Sequence, residues 1–442
     1  MSSDLTMTVA EYVHDSSSHR LPPLALANAK LSFLDTLGVM LAGSQHEGGR
    51  IIAEYAKASD ARGTSTVIGR PIMTSPELAA LANGVMAHAL DYDDHGHAST
   101  QSLPAAMALA EARNTTGADL LLAYIVGREV CLHLSEPFDR GGWEGSGPKG
   151  RGWHSVGIIG SIGATASAAK MLGLTPFGIC TAFGIAASLS GGLFANRGTM
   201  TKPLHAGNAA RNGVLAATLA GMGFTADQTI FTAPGGFTEA FHLPEECDLA
   251  QGVVTLRDHF HIVNEGLRIK AYPSCSPTHR YIEALRLLKS KYLLTPENVE
   301  SIVCTPSKSL LCLYPRTDLE CKFSAAFSLV ATLIEGGVTL SNCRSEFLKR
   351  DDVQALLSKT FYIENAGAGG FIRVKTVYGD VYEQSLLPPR DLDTYEEIRD
   401  KFFACSAPVV GDQRARQIEA LVSDLEELPS VRSLTALLRP LQ

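Results

Sequence analysis

Residues 155–189 read SVGIIGSIGATASAAKMLGLTPFGICTAFGIAASL, and this stretch indicates the class of fold. It consists mostly of Gly, Ala, Ser and aliphatic residues, and small side chains suit helices that pack closely together. We predict two buried helices here, Ser155 to Leu172 and Pro176 to Leu189. The uncharged run from Gly173 to Ala195 is long enough to span a membrane, but its Thr, Pro, Ser and small residues favour core helices.

The same helical pattern covers the first 260 residues. Leu31, Leu34, Leu37 and Leu41 form one apolar stripe of a buried helix that ends at Gly43. Other predicted helices begin with Ser75-Pro76 and run toward Leu90, extend from Leu103 to Ala112, and extend from Gly207 to Gly223.

The sequence pattern changes near residue 265. Alternating residues predict strands at Leu267–Tyr272 and Val299–Cys304, and a hairpin with strands at 371–378 and 381–382 around Gly379-Asp380. Predicted helices cover 278–289 and 323–335, and helical periodicity returns at 395–403, 413–425 and 431–438. We therefore predict a mostly α fold with an α+β second domain: a large helical domain (1–264), a smaller inserted lid domain (265–390) and a helical return (391–442).

Composition excludes several classes of protein. Asp and Glu exceed Lys and Arg by 46 to 38, a net charge of −8 without a basic cluster, so we expect no nucleic-acid partner. Nine scattered cysteines without a Cys-x-x-Cys pair argue against disulfides and structural zinc. The first residues lack the basic and apolar regions of a secretory signal. We expect a cytoplasmic enzyme with no membrane partner.

The densest polar cluster is His88-Ala-Leu-Asp91-Tyr-Asp93-Asp94-His95-Gly-His97, which follows an apolar helix. Neighbouring carboxylates bring imidazole pKa values into the working range of acid–base catalysis. The same groups also suit a divalent metal, or a solvated helix end in which histidine is favoured by the helix dipole.

Three further segments carry candidate residues, each with a plain structural alternative. His154 precedes a Gly/Ala helix, where free N–H groups suit an anion, or it lies in an exposed capping turn. Lys202 and His205 lie near a helix start, where a buried cation needs an anion, or Lys202 is a surface residue. Cys275 is either a nucleophile or, as we favour, a small buried hydrophobe.

Sequence signatures of nucleotide binding are missing. Gly145–Gly150 lacks the Gly-Lys-[Ser/Thr] ending and the preceding strand of a phosphate-binding loop, and no Gly-x-Gly-x-x-Gly follows a strand. We therefore expect no dinucleotide cofactor.

Taken together, several segments resemble the MmgE/PrpD family, which includes 2-methylcitrate dehydratase, cis-aconitate decarboxylase and iminodisuccinate epimerase. The resemblance covers nearly the whole chain. It is carried by 33–38, Asn83-Gly84, 88–94, Trp153-His154-Ser155, 201–210, 234–237 and 269–273.

The resemblance implies a homodimer with a helical domain, a lid domain and an active site between them that uses no metal or organic cofactor. The family's catalytic positions fall on Asp91, His97, His154, Lys202 and Lys270. Lys202 and Lys270, with His205, Cys275 and His279, are the expected substrate-binding residues.

Three departures from the family pattern concern the substrate. The loop between Asp94 and His97 is about four residues shorter than in most members. Cys275 stands where the decarboxylase has a second His, with His279 farther on, and Phe327 stands where several members have a Tyr.

From these residues we predict a cofactor-independent lyase that dehydrates or decarboxylates a di- or tricarboxylic acid. The lysines would hold carboxylates, and His97 and His154 would form the acid–base pair, with Asp91 able to orient an imidazole. An epimerase or isomerase on the same fold, and a polycarboxylate-binding protein without catalysis, are the alternatives.

Overall fold

The computed structural model describes residues 5–59, 63–141, 151–241, 249–305, 310, 314–363 and 370–440. Its contacts divide the chain into two compact units. The first comprises Met1–Ala195, Thr201–Ile269 and Asp393–Gln442, and the second comprises Asn196–Met200 and Lys270–Leu392.

The first unit is built of helices, as the sequence predicts. Up to residue 269 its helices are α1 (Leu5–Asp15), α2 (Pro23–Ser44), α3 (Glu47–Ala58), α4 (Pro76–His88), α5 (Ser99–Arg113), α6 (Gly117–Gly141), α7 (Ser155–Leu172), α8 (Pro176–Leu189), α9 (Thr201–Gly221), α10 (Phe237–Ala240), α11 (Leu249–Val254) and α12 (His261–Asn264). One small hairpin interrupts them, in which β1 (Ser65–Val67) pairs antiparallel with β2 (Ile72–Thr74). Three-residue strands are too short to show a period of two, so sequence reasoning missed them.

Helices α4, α5, α7 and α9 pack against one another at the centre of this unit. Glycines make the close approach possible: a Cβ atom added to Gly84 of α4 would lie 2.8 Å from the Cα of Gly207 in α9. Helix α9 begins at Thr201, six residues before the predicted start at Gly207. Pro203 is tolerated because the first-turn N–H groups have no partner within the helix. Lys202 and His205 therefore lie in the first helical turns.

The second unit packs helices against a four-stranded sheet. Its elements are β3 (Ile269–Lys270), which begins at the last residue of the first unit, α13 (Ser276–Tyr292), β4 (Val299–Cys304), α14 (Asp318–Cys321), α15 (Ala325–Glu335), α16 (Ser345–Leu348), α17 (Asp351–Ser358), β5 (Thr360–Tyr362), β6 (Phe371–Thr376), β7 (Val381–Ser385) and β8 (Asp391–Leu392). The strand order is β5-β4-β6-β7, with β4 and β5 parallel and the other pairs antiparallel.

Two predicted strands are longer than the observed ones. The strand expected from Leu267 to Tyr272 is only β3, since the chain bends from Ala271 onward and Pro273 has no N–H for a ladder. In the hairpin, β6 ends at Thr376, because Gly379 with φ +89° closes a turn that begins two residues earlier than predicted.

The chain then returns to the first unit through α18 (Tyr395–Val410), α19 (Asp412–Ser423) and α20 (Arg432–Leu437). Helix α18 packs against α2, where the Lys401 Nζ lies 2.8 Å from the Asp35 Oδ1. Both side chains are buried, so each charge depends on the other.

Among the residues that the structure describes, two helices, Pro23–Ser44 and Ser155–Leu172, are long and apolar enough to cross a membrane by length and composition alone. In the folded chain, 67% and 83% of these apolar windows are buried against protein, the pattern of core helices. The Gly173–Ala195 run contributes the shorter helix α8 instead.

Candidate active site

The loop between α4 and α5 carries the polar cluster in an unusual backbone conformation. Asp91 and His97 are non-glycine residues in the left-handed region, with φ +51° and φ +61°. Such conformations cost about 1–3 kcal/mol each and persist where the surrounding structure holds them. The rest of the loop supplies that support, since the Ser99 hydroxyl donates to Asp94 at 2.9 Å and the His95 N–H donates to the Arg268 carbonyl at 2.8 Å.

Asp93 joins two imidazoles. Its Oδ2 lies 2.5 Å from the Nδ1 of His97, and its Oδ1 lies 3.2 Å from the Nδ1 of His88. Asp93 and His88 are fully buried, whereas the His97 side chain is 20% exposed and is therefore open to a ligand. From the sequence we expect Asp91 to orient an imidazole, whereas in the structure Asp93, from the same cluster, does so. The four-residue spacing from Asp93 to His97 was the available signal.

Asp91 pairs with a lysine from a distant part of the sequence. The Lys202 Nζ donates to the Asp91 Oδ2 at 2.7 Å, and only 7% and 3% of the two side chains are exposed. Lys202 is therefore not a surface residue. The early start of α9 and the left-handed turn at Asp91 bring an ammonium and a carboxylate together in a buried place, as the interpretation of Lys202 as an anion-paired cation requires.

His154 and His205 form a second imidazole pair. His154 is the residue before α7, and its Nδ1 lies 2.9 Å from the Nδ1 of His205. His154 is buried rather than exposed in a capping turn. Its ring stacks 6.3 Å from that of His88, which in turn lies 4.5 Å from that of His97. Four imidazole rings from three chain segments thus form a continuous row in space, in the order His97, His88, His154, His205.

Burial and the neighbouring ammonium keep the inner imidazoles neutral. Burial, followed by the charge of Lys202, lowers the pKa of His88 to about 3 and that of His205 to about 4. The same two causes hold the pKa of His154 well below its usual value. The expectation that neighbouring carboxylates bring imidazole pKa values into the working range therefore fails for His88, where burial and Lys202 outweigh the nearby Asp93 carboxylate. A neutral ring donates with one nitrogen and accepts with the other, so the His154–His205 contact needs no added proton.

The remaining candidates belong to the second unit. Lys270 is fully buried in β3, and Cys275 is half-buried just before α13. The Nε2 of His279, in the first turn of α13, lies 3.2 Å from the Ser274 carbonyl oxygen. The roles expected for these three residues stay predictions.

Phe327, which stands where the family resemblance leads us to expect a Tyr, is fully buried and packs edge-on against Phe347 at 6.0 Å. Its ring belongs to the apolar core of the second unit.

The cluster also has the geometry of a metal-binding group. One ligating atom from each of His88, Asp91, Asp93 and His97 lies within 4.8 Å of the others. The Lys202 ammonium lies 2.7 Å from the Asp91 Oδ2 and already neutralises that carboxylate. A metal cation bound by Asp91 would be repelled by this neighbouring positive charge. Independence from metal stays a prediction.

The Gly145–Gly150 segment, which we compared with a phosphate-binding loop, lies outside the described residues.

Residues of the loop between α4 and α5, and the buried Lys202 of α9, belong to two of the segments, 88–94 and 201–210, that carry the family resemblance. The chain belongs to the MmgE/PrpD family: the model of the family's N-terminal domain matches residues 7–250, and the model of its C-terminal domain matches residues 272–368.

Among characterised relatives, the chain is similar to cis-aconitate decarboxylase of Mus musculus, with 29% identity over 99% of this chain and 94% of the relative. It is 28% identical to cis-aconitate decarboxylase of Homo sapiens, over 99% of this chain and 95% of the relative. It is 27% identical to cis-aconitate decarboxylase of Aspergillus terreus, over 99% and 96%.

Proposed function

We propose that this protein is a lyase that removes CO2 from cis-aconitate or a closely related tricarboxylic acid, and that it does so by acid–base chemistry without a metal or organic cofactor. The observation that carries the proposal is the partly exposed His97, held by the Asp93 carboxylate, in a cluster that also contains the buried Lys202. The similarity to decarboxylases over nearly the full length of both chains supports the choice of substrate class.

His97 is the proposed proton donor. When the bond between the leaving carboxylate and the carbon skeleton breaks, CO2 departs and its electron pair stays on the skeleton. The His97 imidazolium then delivers a proton to the skeleton carbon that carries this electron pair, and the imidazole recovers a proton from solvent. The Asp93 carboxylate at 2.5 Å stabilises the imidazolium with a charge-assisted hydrogen bond.

Lys202 is the proposed anchor for a substrate carboxylate that stays on the product. Its ammonium donates to the Asp91 Oδ2, and this pair holds the cation at a defined position. A charged hydrogen bond from Lys202 to the substrate is worth about 1.5–3 kcal/mol. Burial, followed by the charge of this cation, disfavours protonation of His88, His154 and His205.

His154 is proposed to act as a neutral hydrogen-bonding group. Its partner His205 couples the tautomers of the two rings, since one Nδ1 of the pair must donate and the other must accept. His154 is therefore proposed to orient the substrate and to take no part in proton transfer, which revises the expectation that His97 and His154 form the acid–base pair.

The test is product analysis with the full-length chain. Purified protein is incubated with cis-aconitate, citrate and 2-methylcitrate in D2O, and products are followed by proton NMR and CO2 release. We expect CO2 from cis-aconitate, one deuterium on the product carbon, and no effect of a chelator. Loss of water from citrate or 2-methylcitrate without CO2 would identify a dehydratase instead. Saturable binding of these acids without any turnover would identify a binding protein.

Two further expectations are proposals: a homodimer, which the family resemblance implies, and a cytoplasmic location, which the composition and the first residues predict. Light scattering on the purified chain tests the first, with a mass of twice 47.1 kDa expected. Fractionation of cells that express the untagged chain tests the second.

A further inference from the structure

A second group of imidazoles, outside the proposed catalytic cluster, occupies the segment 259–265. The Nε2 of His259 lies 2.7 Å from the Oε1 of Glu265, and the Nδ1 of His261 lies 3.0 Å from its Oε2. One ligating atom from each of the three residues lies within 4.8 Å of the other two. Two imidazole nitrogens and one carboxylate around a common point are the protein ligands of many zinc sites that keep an open position.

Helix α6 holds the backbone of both histidines in place. The Glu129 carboxylate accepts the backbone N–H of His261 at 2.7 Å and that of Ile262 at 3.1 Å, at the start of α12. The Nε2 of His133 lies 3.0 Å from the carbonyl oxygen of His259. Glu129 and His133 are fully buried, so the backbone beneath the ligand set is fixed before any ion arrives.

The burial of the Nε2 atom of His261 indicates that its Nδ1 atom is the one that would bind a ligand. Within the described residues, the Nε2 of His261 is buried and has no hydrogen-bond partner, and a carboxylate oxygen of Glu136 lies 4.0 Å away. When Nδ1 of a histidine binds a metal, its proton resides on Nε2, and a nearby carboxylate orients the ring. His259 and Glu265, about one-third exposed, give an ion access from solvent.

We propose that His259, His261 and Glu265 bind one divalent transition-metal ion, with Zn2+ as the best match to two imidazoles and a carboxylate. A fourth position remains for water. Such an ion would fasten the segment 259–265, and it takes no part in the decarboxylation proposed above. The alternative is that the three side chains only form hydrogen bonds with one another.

The experiment is equilibrium dialysis of the apo full-length chain against ZnCl2, with Co2+ visible absorption as a second readout. The test variant is His259→Gln/Glu265→Gln, which alters two partly exposed side chains and leaves the buried His261 in place. The matched control is His19→Gln, at an exposed histidine in another segment. Far-UV circular dichroism and the metal-free Tm verify that all three proteins are folded.

We expect the wild type and the control to bind one more equivalent of Zn2+ than the double variant, and we expect tetrahedral Co2+ bands that the double variant lacks. The stoichiometry of the double variant is subtracted from that of the wild type, so any ion bound at the active-site cluster, which both proteins retain, does not contribute to the difference. Loss of a direct ligand should weaken binding by at least about 10-fold, since changes behind the ligands alone cost 10–100-fold. Equal stoichiometry and affinity in the wild type and the double variant would overturn the proposal.

Discussion

His97 differs from the other imidazoles of the active-site cluster because a ligand can reach it. Replacement by Gln keeps the size and removes the proton donor, so we expect His97→Gln to lower kcat by about 100-fold or more with a small change in KM. Steady-state kinetics with the accepted substrate measure this. His19→Gln is the control and should keep full activity. Near-normal turnover of His97→Gln would move the acid role to another group.

Lys202 and Asp91 depend on each other. In Lys202→Ala, the buried Asp91 carboxylate loses its cation, so we expect kcat/KM to fall by about 10- to 150-fold and stability to fall by about 3–5 kcal/mol.

The double variant Lys202→Met/Asp91→Asn separates the two effects. With no unpaired charge left in the core, it should recover most of the lost stability in urea unfolding yet remain as inactive as Lys202→Ala. A double variant no more stable than Lys202→Ala would show that the pair does not couple.

At the scale of elements, the crossing of α4 and α9 positions Lys202. A Cβ atom on Gly207 would overlap the Leu81 carbonyl oxygen and the Val85 side chain, so Gly207→Ala forces the two helices apart. We expect a loss of about 1–3 kcal/mol, the usual cost of overpacking, and a lower kcat because the helix that carries Lys202 moves.

Gly178→Ala is the matched control for this prediction. A Cβ atom there would make only ordinary contacts of 3.5 Å with Leu174 and Thr175, so this variant should be as stable as the wild type or slightly more stable. Urea unfolding of both variants measures the difference. Equal stability of Gly207→Ala and Gly178→Ala would contradict the packing argument.

For the whole molecule, we expect the buried neutral histidines to make the folded chain less stable in acid. The pKa of His88 and that of His205 are lowered to about 3 and about 4 in the folded chain, against about 6.5 when unfolded. Between these values the unfolded chain binds more protons, so stability falls as pH drops from about 6.5 toward 4, by up to about 1.4 kcal/mol per pH unit for each histidine. The pKa of Asp35, raised to about 6 by burial, acts in the opposite direction.

Tm measured from pH 7 to pH 4.5 tests this prediction. His205→Gln removes one of the titrating groups and should show a shallower fall in Tm over that range. A Tm that is independent of pH, or a variant with the wild-type slope, would mean that these histidines do not control acid stability.

Local sequence was sufficient for many of the elements. Helices Ser155–Leu172 and Pro176–Leu189 and strand Val299–Cys304 have the predicted bounds, because composition, turn residues and periodicity are properties of neighbouring residues. The family was likewise readable from the chain, as was the candidate role of Lys202. The hairpin Ser65–Thr74 and the first turns of α5 and α9 were not, since pairing and packing across the chain create them.

Only the folded chain shows which carboxylate of the active-site cluster pairs with which imidazole or ammonium group. The residues 88–97 contain three imidazoles and three carboxylates, and although the four-residue spacing is compatible with an Asp93–His97 pair, nothing in their order says that Asp91 pairs with Lys202. The left-handed turns at Asp91 and His97 and the approach of α9 produce those pairs. Burial then sets which imidazoles stay neutral. Charge pairing and desolvation depend on distances between segments more than a hundred residues apart, and local sequence does not encode those distances.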